Sequence, residues 1–240
     1  MALTLEQINA IPVAPNDSKA IAGKDTLLYV ELAKDNWVLF GGQKNSPVTQ
    51  KADTLDASDK TSGGWKKQIP GLKEWSIEYD GLYVLNDIAT SIVEQAFLKG
   101  LAIHVRVEYA NGSYKQGYAY VTEFSDSNAH DAIQTLKVSF NGYGEISTLV
   151  EVGKPNIASA TGTFQKASAK DVTVKVTPVD ATIRALKNEA GISLVYGTDY
   201  ELVAGDLKIK KEYLTNLTGS KAVLTAKFAN VEIPITITIS

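Results

Sequence analysis

Two histidines, His104 and His130, are the side chains in this chain whose ordinary pKa lies closest to neutrality. His104 alternates with apolar Ile103 and Val105, which is typical of an ordinary strand histidine, and His130 lies in a polar, loop-like stretch. Neither has a second histidine or a carboxylate at a spacing suited to zinc, and there is no cysteine in 240 residues. We therefore predict no catalytic, metal-binding or cofactor-binding residues.

Other chemistry-bearing patterns are equally incomplete. Asp53, Asp56 and Asp59 recur every three residues, but a calcium loop also needs a glycine and a bidentate glutamate at set offsets. We interpret this segment as a solvated acidic face. The glycine pairs at 41–42 and 63–64 are not followed by the lysine and hydroxyl of a phosphate loop. Enzymatic function is not indicated.

The aromatic residues leave two interpretations open. Trp37, Trp65 and Trp75, together with eleven tyrosines, could line a face that stacks on sugars. Alternatively they fill cores and subunit contacts, where tryptophan and tyrosine are enriched, and this second interpretation is favoured.

Charge and hydropathy narrow the class of protein. The net charge is −3, with −5 on residues 1–155 and +2 on residues 156–240. This distribution disfavours tight binding to nucleic-acid phosphates. No apolar run approaches the roughly 20 residues of a membrane helix, and the first residues lack the basic and then apolar pattern that predicts a signal peptide. We expect no membrane anchor.

The pattern along the chain predicts a mainly β protein. Residues 1–22 are expected to form an N-terminal arm, with a short helical turn at 4–9. Strand-like runs at 26–32 and 37–40 form a hairpin that ends at glycine. The polar stretch 43–68 is predicted to be a projecting β-hairpin or a loop ordered by a partner. In its second half, Trp65 would be costly to leave in water.

One good helix is predicted, over residues 87–99. Asn86 or Asp87 can cap its start, and Gly100 suits its end. Its apolar face at helical spacing comprises Ile88, Ile92, Val93 and Phe97.

The remaining runs predict two β domains. Further strands of the first domain, residues 23–153, are expected at 102–109, 114–122, 132–141 and 145–150. A small, polar linker is predicted over 154–165. Residues 166–240 alternate with period 2 and are predicted to form an Ig-like β-sandwich, with strands at 171–177, 207–209, 222–228 and 231–239.

Two segments resemble known families. The first is Gly63-Gly-Trp-Lys-Lys-Gln-Ile-Pro-Gly-Leu-Lys-Glu-Trp-Ser-Ile-Glu-Tyr-Asp-Gly-Leu-Tyr83, preceded by Ala22-Gly-Lys-Asp-Thr-Leu-Leu-Tyr-Val30 and Gly41-Gly-Gln43. With these landmarks in order, residues 23–147 resemble the major tail tube protein family of siphophages typified by lactococcal phages.

The second resemblance is in the C-terminal domain. Gly197-Thr-Asp-Tyr200, an apolar strand and Lys210-Lys-Glu-Tyr-Leu214 are similar to the X2-type Ig-like module of secreted polysaccharide enzymes and phage surfaces. The motif residues are Asp199, Tyr200, Tyr213 and Leu214.

These resemblances imply a fold and an assembly. The first domain would be a tail-tube β-sandwich or barrel with one flanking helix and a long hairpin, and the C-terminal domain an outward Ig-like decoration. Six copies would join edge to edge into rings that stack into a tube in the virion tail, with an acidic lumen that conducts DNA without binding it specifically. The implied partners are further copies of the chain, the tape measure protein and the tail terminator or distal tail proteins. The expected inter-ring contact residues are Leu55, Trp65, Lys66 and Lys67.

A different class of function stays open. The C-terminal domain and the aromatic residues could make this a carbohydrate-binding surface or virion adhesion protein. A weak contact of the C-terminal domain with cell-wall glycans is also compatible with the tube hypothesis.

Overall fold

The architecture is that of a computed structural model, which describes residues 23–157, 159–229 and 231–240. The predicted N-terminal arm at 1–22, with its helical turn, lies outside the described residues. The rest is mainly β, as the sequence predicts. Eight strands form the first sheet: β1 (Leu27–Ala33), β2 (Asn36–Leu39), β3 (Gln43–Asn45), β4 (Val48–Asp56), β5 (Gln68–Leu82), β6 (Ala102–Glu108), β7 (Tyr114–Ser127) and β8 (Thr135–Tyr143).

The first sheet is antiparallel, in the order β2-β1-β6-β7-β8-β5-β3, with β4 paired to β5. It curls around one apolar core that includes Leu28, Ile77 and Phe140. The predicted strand at 145–150 is absent, and only an isolated bridge joins Val150 to Tyr114. Gly144, with φ of +80°, turns the chain out of β8 before those residues.

The predicted helix is present as α1 (Ile88–Lys99) and closes the core. Asp87 caps it by accepting a hydrogen bond from the Thr90 backbone nitrogen at 2.8 Å, and Gly100 ends it in the left-handed conformation. The buried face carries Val93 and the small residues Ala89 and Ala96, with Ile88 and Ile92 packed beside it.

Phe97 needs a correction. We expected it on the core face, but 42% of its surface is exposed. The buried face of the helix consists of Ala89, Val93 and Ala96, and Phe97, one residue beyond Ala96, lies at the edge of that face.

The C-terminal part is a sandwich of two four-stranded sheets around a second core. The predicted linker contains two of its strands, β9 (Asn156–Ile157) and β10 (Thr161–Phe164), which pair with β11 (Val172–Thr177) and β16 (Glu232–Ile239), respectively. The other strands are β12 (Ala185–Asn188), β13 (Tyr200–Val203), β14 (Asp206–Ile209) and β15 (Lys221–Lys227), with a short helix α2 (Lys211–Thr215).

Candidate assembly surfaces

A two-stranded ribbon projects from the first sheet. β5 has 15 residues, but its pairing with β8 begins only at Ser76, so residues 68–75 are paired with β4 alone. At about 3.3 Å per residue this overhang is about 25 Å long. We call residues 48–75 the ribbon and residues 57–67 the ribbon turn. Because a two-stranded ribbon has no core of its own, it gains stability only from further contacts.

The ribbon carries large apolar side chains that touch little of their own subunit. Leu55 and Ile69 are register partners, exposed by 54% and 52%, and Leu72 is exposed by 82%. Trp65, in the ribbon turn, is exposed by 83%. The expected contact residues Leu55 and Trp65 therefore lie on one projecting element, whereas Ile69 and Leu72 were not anticipated, because the sequence run 68–73 lacks strand-like alternation.

The ribbon turn is held by its own polar groups. Asp59 accepts hydrogen bonds from the backbone nitrogen and hydroxyl of Thr61, at 2.8 and 2.6 Å, and these bonds lower the pKa of its carboxyl group. Asp56 accepts a hydrogen bond from the Ser58 backbone nitrogen at 2.9 Å. These carboxylates are used within the turn, and among the described residues no cluster of acidic or histidine side chains could hold a metal ion. Lys66 and Lys67 are exposed at the end of the same turn.

The base of the ribbon is anchored in the core. Trp75 is buried, and its indole nitrogen donates a hydrogen bond to the Gly144 carbonyl oxygen at 3.0 Å. Its ring occupies the space above Gly142, where an added Cβ would lie 2.3 Å from the ring. The projecting strand thus leaves the body from a fixed residue.

Two of the sheet edges among the described residues flank strands β5 and β8. β4 pairs with β5 on one side only. β7 extends to Ser127, but β6 covers it only as far as Tyr120, so residues 121–127 pair with β8 alone. The four strands β4-β5-β8-β7 therefore end in two edges whose backbone groups can pair with another chain.

The outer face of these strands is polar and acidic. Glu78, Ser139 and Glu123 lie in one row across β5, β8 and β7. The Ser139 hydroxyl donates to Glu78 at 2.5 Å, and both glutamates are exposed. In the next row Lys137 lies between Asp80 and Ser125.

The C-terminal sandwich covers a different arc of the same sheet. Glu108, on β6, is buried, and it accepts hydrogen bonds from the Thr182 hydroxyl and from Arg184 Nε at 3.2 Å. Arg184 also donates to the carbonyl oxygens of Asp25 and Tyr109, at 2.8 and 3.2 Å. Burial raises the pKa of Glu108, and the hydrogen bond from Thr182 and the charge of Arg184 oppose that rise.

A second buried cation strengthens this junction. The Arg106 guanidinium lies between two rings, 4.0 Å from the Trp37 centroid and 3.8 Å from the Tyr114 centroid. It donates to the Asp180 carbonyl oxygen at 2.9 Å, and Tyr114 donates to the Asp180 carboxylate at 3.0 Å. Burial lowers the pKa of Arg106. The docked position of the sandwich is thus specified by paired polar groups.

The two histidines lie outside any catalytic arrangement. His104 bonds Glu31 through Nδ1 at 2.8 Å, and its ring stacks on Tyr118 with centroids 4.5 Å apart. His130 is exposed in the turn between β7 and β8.

The X2 motif residues shape the sandwich itself. Asp199 accepts a hydrogen bond from the Val195 backbone nitrogen at 2.7 Å, Tyr200 and Leu214 are buried, and Tyr213 is half-buried. Burial also raises the pKa of Tyr196 to about 12. None of the aromatic side chains described between 156 and 240 is exposed. The motif therefore does not place a flat aromatic platform on the surface.

Comparisons with known proteins support a phage tail tube domain followed by an X2 domain. Residues 20–148 match the model of the phage tail tube protein family, and residues 157–239 match the carbohydrate binding domain X2 model. A search of curated proteins found no significant match. No helix among the described residues is long and apolar enough to cross a membrane.

Solved structures of tails are similar in part. One protein is from the tail of an empty GTA particle, with 22% identity, a TM-score of 0.49, and coverage of 53% of this chain and 98% of that chain. Another forms the SPP1 tail tube, with 17% identity, a TM-score of 0.48, and coverage of 55% and 81%.

Proposed function

Because the chain belongs to the phage tail tube protein family, we propose that its copies close into hexameric rings, stacked into a tube that conducts DNA through an acidic lumen. The chain is a structural subunit of the virion tail and not an enzyme. The observation that carries the assembly proposal is the ribbon, which exposes four large apolar side chains along an overhang about 25 Å long. The lactococcal type of the family, the domain boundaries and the tape measure and terminator partners stay predictions.

Lateral joining uses the two open edges. In a ring, the free edge of β4 in one copy meets residues 121–127 of β7 in the next, and the two strands run antiparallel when all copies point the same way. Each junction satisfies backbone groups that are otherwise left to water, and closure of the ring covers both of these edges. Six copies per ring is the number that the family resemblance implies.

The docked C-terminal sandwich determines which arc faces inward. It covers the outer side of β6 around Glu108, so that arc faces away from the lumen, and the exposed face of β5, β8 and β7 lines it. Glu78 and Glu123 then repeat around the ring. Fixed carboxylates repel DNA phosphates, so the polymer slides without being held.

Axial stacking uses the ribbon. Burying a large apolar side chain contributes about 1.5–3 kcal/mol, so Trp65, Leu55, Ile69 and Leu72 together offer a substantial gain in each copy. The gain is repeated around the ring, which makes stacking cooperative.

Electron microscopy of the concentrated, purified protein tests the proposal. We expect rings or tubes with a central hole. A stable monomer under every condition, with no ring in any virion, would contradict it.

Engineered cysteines test the lateral junction, since the chain has none of its own. Cysteine at Thr49, Lys51 or Asp53 of β4, combined with Ser125→Cys on β7, should give a ladder of covalent oligomers with a short thiol-specific cross-linker. The three β4 positions allow for the unknown register. Each single-cysteine variant is the control and should stay monomeric on a denaturing gel. If the parent forms tubes but no pair yields a ladder, the assignment of these edges is wrong.

Reversing the lumen charges should make tubes retain DNA. We expect Glu78→Lys with Glu123→Lys to assemble, because both side chains are exposed, and to bind DNA with a salt-dependent affinity at least about tenfold above the parent. DNA co-sedimentation with tubes measures this. The matched control is Glu189→Lys with Glu212→Lys, two exposed glutamates on the C-terminal sandwich. Equal binding by both variants would show that the first pair does not line the lumen.

The second candidate function is glycan binding by the C-terminal sandwich, supported by its match to the carbohydrate binding domain X2 model. The burial of its described aromatic side chains disfavours recognition by ring stacking. Pull-down of the full chain with host cell walls, with and without competing soluble glycan, tests it. This role is compatible with a tube subunit.

A further inference from the structure

We propose that the end of the first sheet opposite the ribbon is the docking surface for the ribbon of a second copy in the next ring. We call this surface the acceptor end; it consists of Val84, Leu85 and the β7–β8 turn at residues 128–134, with Asp126 just before that turn. The inference rests on the proposed function, and it names the surface that completes each axial contact.

Strand register places the two surfaces at opposite ends. β5 begins at the ribbon turn and ends at Leu82, which is paired with Thr135 at the start of β8. The Tyr83 backbone nitrogen then donates to the Gln134 carbonyl oxygen at 3.0 Å. Val84 and Ile133 are the next residues along the two chain segments. A copy displaced along the strand direction therefore brings its ribbon toward the acceptor end of its neighbour.

The acceptor end exposes three apolar side chains to different extents. Leu85 is exposed by 79%, Ile133 by 74% and Val84 by 39%. These side chains offer an apolar surface on which the exposed Trp65 and Leu72 of a neighbouring ribbon can pack. Apolar groups clustered at both ends of one sheet mark paired contact surfaces.

Charge complements the apolar match. The stretch 56–67 holds three lysines and two aspartates, a net charge of +1. Its aspartate carboxylates accept hydrogen bonds within the turn, whereas Lys66 and Lys67 are exposed and form no salt bridge with any residue that the structure describes. The stretch 126–134 holds Asp126 and Asp131 and no lysine or arginine, a net charge of −2. The lysines and the acidic turn thus favour a head-to-tail approach.

Head-to-tail contact between different surfaces also fits the assembly. When each copy presents both a donor and an acceptor surface, the contact does not close on itself and repeats without limit. Such a contact lengthens a stack of rings, whereas an edge-to-edge contact closes a single ring.

Charge reversal tests the pairing. Lys66→Glu with Lys67→Glu should raise the protein concentration needed for tubes by about tenfold at low salt, and Asp126→Lys with Asp131→Lys should do the same. The chain that carries all four reversals should recover the parent value, because the attraction is restored with opposite signs. Light scattering and electron microscopy measure both rings and tubes.

Lys187→Glu with Lys221→Glu, two exposed lysines on the C-terminal sandwich, is the matched control and should assemble as the parent does. The docking surface is wrong if the parent forms tubes normally and the acceptor-end reversals have no effect. It is also wrong if the fourfold variant still forms rings but does not regain the parent's concentration requirement for tubes. In both cases the tube function stands. If the parent forms neither rings nor tubes, the proposed function itself fails.

Discussion

A variant in which Asn-Gly joins Ala52 directly to Lys73 should fold as the parent does and form no tubes. Ala52 and Lys73 are register partners, so a two-residue turn can connect them without moving either strand. The deletion removes Leu55, Trp65 and Leu72 and leaves Trp75 in the core. Rings should still form, because residues 48–52 of β4 remain available for edge pairing.

Electron microscopy should then show isolated rings, and the thermal unfolding midpoint should lie within a few degrees of the parent value. Trp65→Ser keeps the length of the ribbon and should weaken stacking partially, whereas Thr54→Ser, an exposed ribbon position without an apolar side chain, serves as the control. Tubes of normal length from the shortened chain would show that the ribbon does not join rings.

Arg184→Met should lower the free energy of unfolding by about 3–5 kcal/mol at neutral pH, because it leaves the buried carboxylate of Glu108 without its cation. The variant also loses the bonds to the carbonyl oxygens of Asp25 and Tyr109. Denaturant unfolding measures the loss. Lys187→Met, at an exposed position on the neighbouring β12, is the matched control and should change stability little.

The loss should shrink as the solution is made acidic. Burial raises the pKa of Glu108 in the folded state, so the folded chain binds a proton more readily than the unfolded chain. Stability from this group therefore falls as pH rises from its unfolded pKa through its folded pKa. Without Arg184 the protonated form of Glu108 is favoured further. Below the pH range in which Glu108 titrates, the variant therefore no longer buries an unpaired carboxylate. Arg184→Met combined with Glu108→Gln should likewise recover part of the loss. A defect that is unchanged by pH and by the second substitution would show that the ion pair is not its cause.

The sequence predicted those helices and strands whose formation depends on residues close together in the chain. The helix over 87–99 is specified by a capping aspartate, apolar spacing and a terminal glycine, and each of these acts within one or two turns. The strands with clean alternation, such as β11, were predicted for the same reason. The mainly β class follows from such patterns, whereas the two family resemblances rest on the residue motifs around 63–83 and 197–214.

Contacts between distant parts of the chain could not be predicted. Arg106 and Glu108 look like ordinary polar residues of an alternating strand, yet both are buried because Asp180 and Arg184 pack on them from more than 70 positions away. Phe97 has helical spacing from Val93, but it lies at the edge of the buried helix face and stays partly exposed. Ile69 and Leu72 were missed because the bulge that interrupts the β4–β5 register disturbs the alternation there.

The seating of Trp75 has a mechanical consequence. The indole ring packs against Gly142 and donates a hydrogen bond to the Gly144 carbonyl oxygen, so the ribbon has no flexible hinge where it leaves the body of the subunit. Force applied to the ribbon turn is therefore transmitted through Trp75 to the core of the subunit. We therefore expect an assembled tube to bend at the contacts between successive rings, while each ring keeps its shape.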